Sequence, residues 1–186
     1  MTMARGKPRA LSLGPGYLYL ATLGAAEPMD LTTPWAAVDP AWTGLGYTNE
    51  GSEFTYELSS EPVEVAEELD PIAIALTGRN MGLNFALAEV TATNLRVAMN
   101  GGTITIGAGV VTFEPPELGQ ETNVKLGFES EDHSERWIYR QCLSQGQIGI
   151  PRRKGAEKAL INCEFLMTKP EGLTPFKAML EHPRRA

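Results

Sequence analysis

The residues able to do chemistry are few and far apart. The chain holds two cysteines, Cys142 and Cys163, and two histidines, His133 and His182. A zinc site or a thiol nucleophile would need these groups to converge with further partners, and no usual ligand spacing links them. Two distant cysteines without a signal peptide read as reduced core residues rather than a disulfide. Glu67 and Glu68 are a carboxylate pair of the kind used in acid–base catalysis, but neighbours in an extended run point to opposite faces. The run NGGTITIGAG at 100–109 is rich in glycine. It leads from a helix into strands, whereas a phosphate cradle opens a helix N-terminus. None of the motifs GxSxG, CxxC, HExxH or GxxxxGK[ST] occurs. The sequence therefore offers no catalytic, cofactor-binding or metal-binding residue, and an enzyme is not expected.

Charge is more informative. The net charge of −7 conceals a strong asymmetry. Arg5, Lys7 and Arg9 make the N-terminus basic, residues 10–78 contain eleven carboxylates and no Lys or Arg, and the remainder nearly balances. Such a charge run reads either as a solvated acidic face or as a surface that repels polyanions or meets a basic patch. The basic patch on offer is the loop carrying Arg152, Arg153, Lys154 and Lys158. On an acidic protein one short loop argues poorly for nucleic-acid binding, and pairing with carboxylates of another subunit fits better.

The elements that must hold these groups are mostly strands. A chain of 186 residues suits one domain with a sizeable core. Its 19 glycines and 13 prolines suit a fold with many turns. No apolar run reaches the roughly 18 residues of a membrane span, and the N-terminus lacks the apolar centre of a secretory signal. Residues 1–15 read as a flexible basic arm and 16–186 as a single β domain. Strands are expected over 16–23, 53–60, 61–69, 103–106, 110–113, 123–130, 135–144 and 159–167, with a short tail element over 175–182. Residues 24–51 read as a long loop, mobile in the free subunit and ordered on assembly. Trp35 and Trp42 within it need a cover. That cover is a partner subunit, where aromatics are enriched, or the chain's own core.

Two further features stand out. Ile72, Ile74 and Leu76 alternate on even positions, and Met81, Leu83, Phe85 and Leu87 on odd ones. A bulge or bend near 78–82 is required to keep both sets on one face. After this strand, FALAEVTATNLRVAMNGG at 85–102 passes into one short helix. Thr91 or Thr93 can cap it, Asn100-Gly101-Gly102 stops it, and Ala92, Leu95, Ala98 and Met99 form its packing face.

The stretch EVAEELDPIAIALTGRNMGLNFALAEVTATNLRVAMNGG, residues 64–102, resembles the major tail protein of long-tailed double-stranded-DNA bacteriophages, in the form found in phages of actinobacteria. The likeness rests on the acidic LDP segment, the TGRN turn, the FALAEVTATNL passage and the Asn-Gly-Gly stop. The later RWIYRQC strand and the basic loop extend it, and residues 16–182 are compatible. The resemblance implies a mainly β chain with one short α-helix, built as a two-sheet β-sandwich or half-barrel. It implies six copies in a ring and rings stacked into a tail tube that conducts DNA from capsid to host. Its implied partners are itself, the tape measure protein, the tail terminator and the tail-tip proteins. DNA would pass through the lumen without specific binding, no membrane would be involved, and assembly would occur in the bacterial cytoplasm. Trp35, Trp42, Glu61, Glu64, Glu67, Glu68, Arg152, Arg153 and Lys154 are the candidate subunit-interface residues. The competing reading is a β-barrel module that binds a small apolar ligand or a glycan.

Overall fold

The computed structural model describes residues 14–152 and 158–181. In chain order the elements are β1 (Tyr17–Ala21), α1 (Trp35–Val38), β2 (Thr43–Gly44), β3 (Thr48–Val63), β4 (Ala73–Leu87), α2 (Ala92–Ala98), β5 (Thr103–Gly107), β6 (Val110–Glu114), β7 (Val124–Glu129), β8 (Glu135–Gln145), β9 (Ile161–Met167) and β10 (Phe176–Leu180). One eight-stranded sheet runs β2-β1-β7-β8-β9-β4-β3, with β10 added on β8, and β5-β6 form a separate two-stranded sheet.

The large sheet folds over on itself at β8. Residues 135–139 of β8 pair with β10, and residues 142–145 pair with β9. A register shift against β7 separates the halves, since Leu126 faces Tyr139 while Val124 faces Cys142. The extra residue changes which face alternate side chains occupy. Tyr139 and Cys142 thus both enter the same core. This makes two layers, β2-β1-β7-β8-β10 and β8-β9-β4-β3, the architecture of a two-sheet sandwich or half-barrel.

The main core lies between the layers. β9 shows the alternation most plainly, with Ile161, Cys163, Phe165 and Met167 buried and Asn162, Glu164 and Leu166 outward. Met81, Leu83, Phe85 and Leu87 of β4 join them against Leu18, Leu126 and Tyr139. Phe85 stacks on Phe165 with centroids 5.6 Å apart. The helix α2 adds Val97 and Ala98 to this core. Thr91 caps it by accepting from the Asn94 N–H at 3.1 Å. Asn100, Gly101 and Gly102, all at positive φ, end it. Asn100 is also a strut, because its amide bonds the Ser144 main chain at 2.6 and 2.7 Å.

The parity change in β4 is resolved within the strand. Ser59 faces Gly78 while Ser60 faces Leu76, so Thr77 is the extra residue of a bulge. The bend lies at the edge of the 78–82 window that the sequence indicates.

Two expectations need correction. The described residues hold a second helix besides α2: α1 is a single turn preceded by Pro34. So short a helix is held by tertiary packing of Trp35 rather than by propensity. The segment 24–51 is also not a bare loop. It contains α1, β2 and the start of β3, and it folds onto the outer face of the first layer. There Trp35 and Trp42, each 3 % exposed, pack with Ala21, Ala25 and Ile138 in a second core. Trp35 stacks on Tyr19 at 4.7 Å and meets Trp42 edge-on at 4.6 Å. Of the two covers considered for these tryptophans, the chain's own sheet supplies it, so neither is free to face a partner.

Candidate assembly surfaces

A network of buried charge fixes the 24–45 segment. The Glu129 carboxylate accepts from Trp35 Nε1 at 2.6 Å and from Arg136 Nη2 at 2.8 Å, and lies 2.7 Å from His133 Nδ1. Arg136 Nη1 donates onward to the carbonyls of Asp30 and Thr33, and its guanidinium lies 5.3 Å over the Trp35 ring. A second pair joins Arg140 to Glu27 at 2.8 Å, with Lys125 donating to the Ala25 carbonyl at 2.7 Å. Burial pushes the Glu129 carboxyl up, but hydrogen bonds from Arg136, His133 and Trp35 and the charge of Arg136 outweigh it, so its pKa lies below the ordinary value. Arg140 holds the Glu27 carboxyl low as well. Sequence reasoning missed this clasp. Its one signal was the alternation of Arg136, Ile138 and Arg140 along an otherwise apolar strand, because buried cations require partners.

With that face covered, the free surfaces lie on the other layer. The β3–β4 hairpin outruns the core. From Tyr56↔Met81 to Val63↔Ala73 the strands pair only with each other, an overhang of about 24 Å at the usual strand rise. Its two faces differ. Tyr56 and Leu58 on β3 share a face with Ile74 and Leu76 on β4, and Arg79 is its only charged residue. Glu53, Glu57 and Glu61 occupy the other face with Asn80 and Asn84. Glu61 thus lies near the end of β3, and Glu64, Glu67 and Glu68 lie in the turn beyond it. All four are exposed. The structure brings these four candidates to one tip. Arg152 is exposed at the margin of the basic loop, while Arg153 and Lys154 lie outside the described residues.

The acidic face continues over β9 and β8 through Asn162, Glu164 and Gln145. Glu164 accepts from the Gln145 amide at 3.1 Å. A shallow depression of about 590 Å³ lies here, lined by Glu50, Glu53, Asn84, Gln145, Asn162 and Glu164 among others. This face bears carboxylates and amides and, among the described residues, no Lys or Arg. Among the described residues the opposite side of β3 has no partner strand, which leaves the edge of this 16-residue strand open.

Cys142 and Cys163 are free thiols, buried on adjacent strands, and burial pushes both to about 12. No cluster of His, Cys, Asp and Glu among the described residues suits a metal ion. No described helix is long and apolar enough to cross a membrane.

The fold is thus a folded-over β sheet with one clasped face, one acidic face and a projecting hairpin. The chain belongs to the phage tail tube protein family, which matches residues 3–153. It is a structural component of the phage tail, as the resemblance of residues 64–102 implied. No curated protein sequence matches the chain. Among solved structures it is similar to a chain in the cryo-EM structure of the anti-feeding prophage baseplate, 6-fold symmetrised, at 10 % identity and a TM-score of 0.41, covering 94 % of this chain and 97 % of that one.

Proposed function

We propose that this chain closes into rings of six, and that the rings stack into the tube through which DNA leaves the capsid. The observation that carries this reading is the cation-free acidic face of β8-β9-β4-β3 beside the open edge of β3. A duplex bears about one negative charge per 1.7 Å, so a conduit wall must not bind it. Four strands from each of six copies would make a 24-stranded barrel, wider than the 16–18-stranded barrels that already enclose water. Ring closure would also bury the β3 edge. The tape measure protein would occupy the lumen, and the terminator and tail-tip proteins would meet the tube's two ends. Assembly would take place in the bacterial cytoplasm. Arg152, Arg153 and Lys154 of one copy would face Glu61, Glu64, Glu67 and Glu68 of another. Each exposed pair is worth only about 0–1 kcal/mol but is repeated around every ring.

The barrel-type ligand reading lacks the space it needs. The interior between the layers is filled by Leu83, Leu126, Ile161 and Phe165, each fully buried. Exchanging Arg152, Arg153 and Lys154 together for Glu tests the charge pairing. The expected result is a folded protein that fails to polymerise at low salt and is partly rescued by Glu-to-Lys changes in 61–68. Normal assembly of the triple variant would overturn it.

A further inference from the structure

Among the described residues, two hairpins of this subunit leave apolar faces uncovered. The first is the outer part of β3–β4, where Leu58 is 50 %, Ile74 74 % and Leu76 70 % exposed. These side chains continue the row that begins in the core with Phe54 and Leu83. The second is β5–β6, a two-stranded sheet that pairs with no other strand among the described residues. Ile104 pairs with Phe113 and Ile106 with Val111, so these four share a face. Only the base is packed, near α2. Ile106 at 78 % and Val111 at 54 % remain in solvent. An isolated two-stranded hairpin is at best marginal in water, and contiguous apolar patches of more than a few hundred Å² mark contact sites.

We infer that the apolar face of the β3–β4 overhang of one copy packs on the apolar face of the β5–β6 hairpin of a second copy. This rests on the tube reading and supplies it with a specific contact. Charge selects the pair. The overhang has an acidic back and an acidic tip, so its apolar face can be covered only by a surface that adds no carboxylates. Residues 103–113 carry no charge at all. Another exposed apolar surface, the groove lined by Tyr17, Tyr19 and Tyr47, is bordered by Glu131 and lies beside Glu89, which accepts from the Tyr47 N–H. A strongly acidic hairpin would meet like charge there. Because the two patches differ, the contact is heterologous. It repeats from copy to copy rather than ending at a dimer.

Mixed cross-linking tests this directly. Leu76→Cys and Val111→Cys variants are prepared separately, mixed, oxidised and run on a non-reducing gel. The native thiols are buried and serve as an internal control. A covalent dimer is expected from the mixture and not from either variant alone. Leu76→Asp, a surface change, should keep the urea midpoint of the wild type while raising the protein concentration needed for assembly by about tenfold or more, the size of effect expected for a central interface contact. Wild-type tubes that form without a 76–111 cross-link would overturn this contact and leave the tube reading standing. A cross-link in a protein that forms no rings or tubes would do the reverse. Neither tubes nor cross-link would overturn both. A dimer from Leu76→Cys alone would show an isologous hairpin pair and overturn the proposed partner.

Discussion

Replacing Glu129 by Ala should loosen the second core and lower stability by about 3–5 kcal/mol, the usual cost of leaving one member of a buried ion pair uncompensated. The carboxylate has three partners, so its loss acts in several ways. Arg136, 2 % exposed, keeps the Asp30 and Thr33 carbonyls but loses its counter-charge. Trp35 Nε1 loses its acceptor, and an unsatisfied buried donor costs about 1–3 kcal/mol. These penalties overlap in one network and do not simply add. Domains of this kind hold about 5–15 kcal/mol in total, so the variant should fold but with a much reduced margin. Urea unfolding followed by tryptophan emission suits the question, because Trp35 and Trp42 both sit in the affected core. The expected result is a lower midpoint, red-shifted native emission and faster protease cleavage within 24–45. Glu129→Gln retains an acceptor for Trp35 and should lie between wild type and Ala. A loss below about 1 kcal/mol with unchanged emission would show that the clasp does not hold this segment and refute the reasoning.

Other outcomes follow from the same geometry. Acid should open the clasp: Glu129 and Glu27 have folded pKa values below their ordinary ones, so their contribution is complete above the unfolded carboxylate range and is lost as pH falls through the lower folded values. A stability titration from neutral pH downward should therefore decline only below about pH 4.5, the unfolded reference, and a loss complete well above that range would contradict the role given to these carboxylates. Gly127→Ala should destabilise by about 1–3 kcal/mol in thermal or urea unfolding, since a Cβ there would lie 2.5 Å from the Trp35 ring. Thr91→Ala removes the cap of a seven-residue helix and should cost about 0.5–2 kcal/mol. Cys142 and Cys163 should resist alkylation in the native protein and react on denaturation, and mass measurement after labelling reads this out.

Much of the strand order was legible because alternation survives wherever one face is buried and the other is wet. β9 is the plainest case, and the Thr91 cap and Asn100-Gly101-Gly102 stop followed from side-chain and φ requirements alone. The bulge at Thr77 was visible as a change of parity between Leu76 and Met81. What stayed hidden depended on contacts distant in sequence. The cover of Trp35 and Trp42 is made by Tyr19, Gly127, Glu129 and Ile138, and no local pattern in 24–51 announces them. β8 likewise belongs to both layers, which a period of two cannot reveal. Of the interface candidates, Glu61, Glu64, Glu67 and Glu68 do gather at one hairpin tip, because they lie close in sequence at the end of β3 and in the turn beyond it. The alternation also gives no sign that the apolar face is exposed at Ile74 and Leu76 but buried from Met81 onward, since an exposed stripe and a buried one look alike in sequence.

Negative-stain electron microscopy of the purified, concentrated protein tests the central claim most directly. The account predicts stacked rings or hollow tubes, with the ring number countable in end views and six subunits per ring. A uniform population of compact monomers at all concentrations and salt conditions would contradict it.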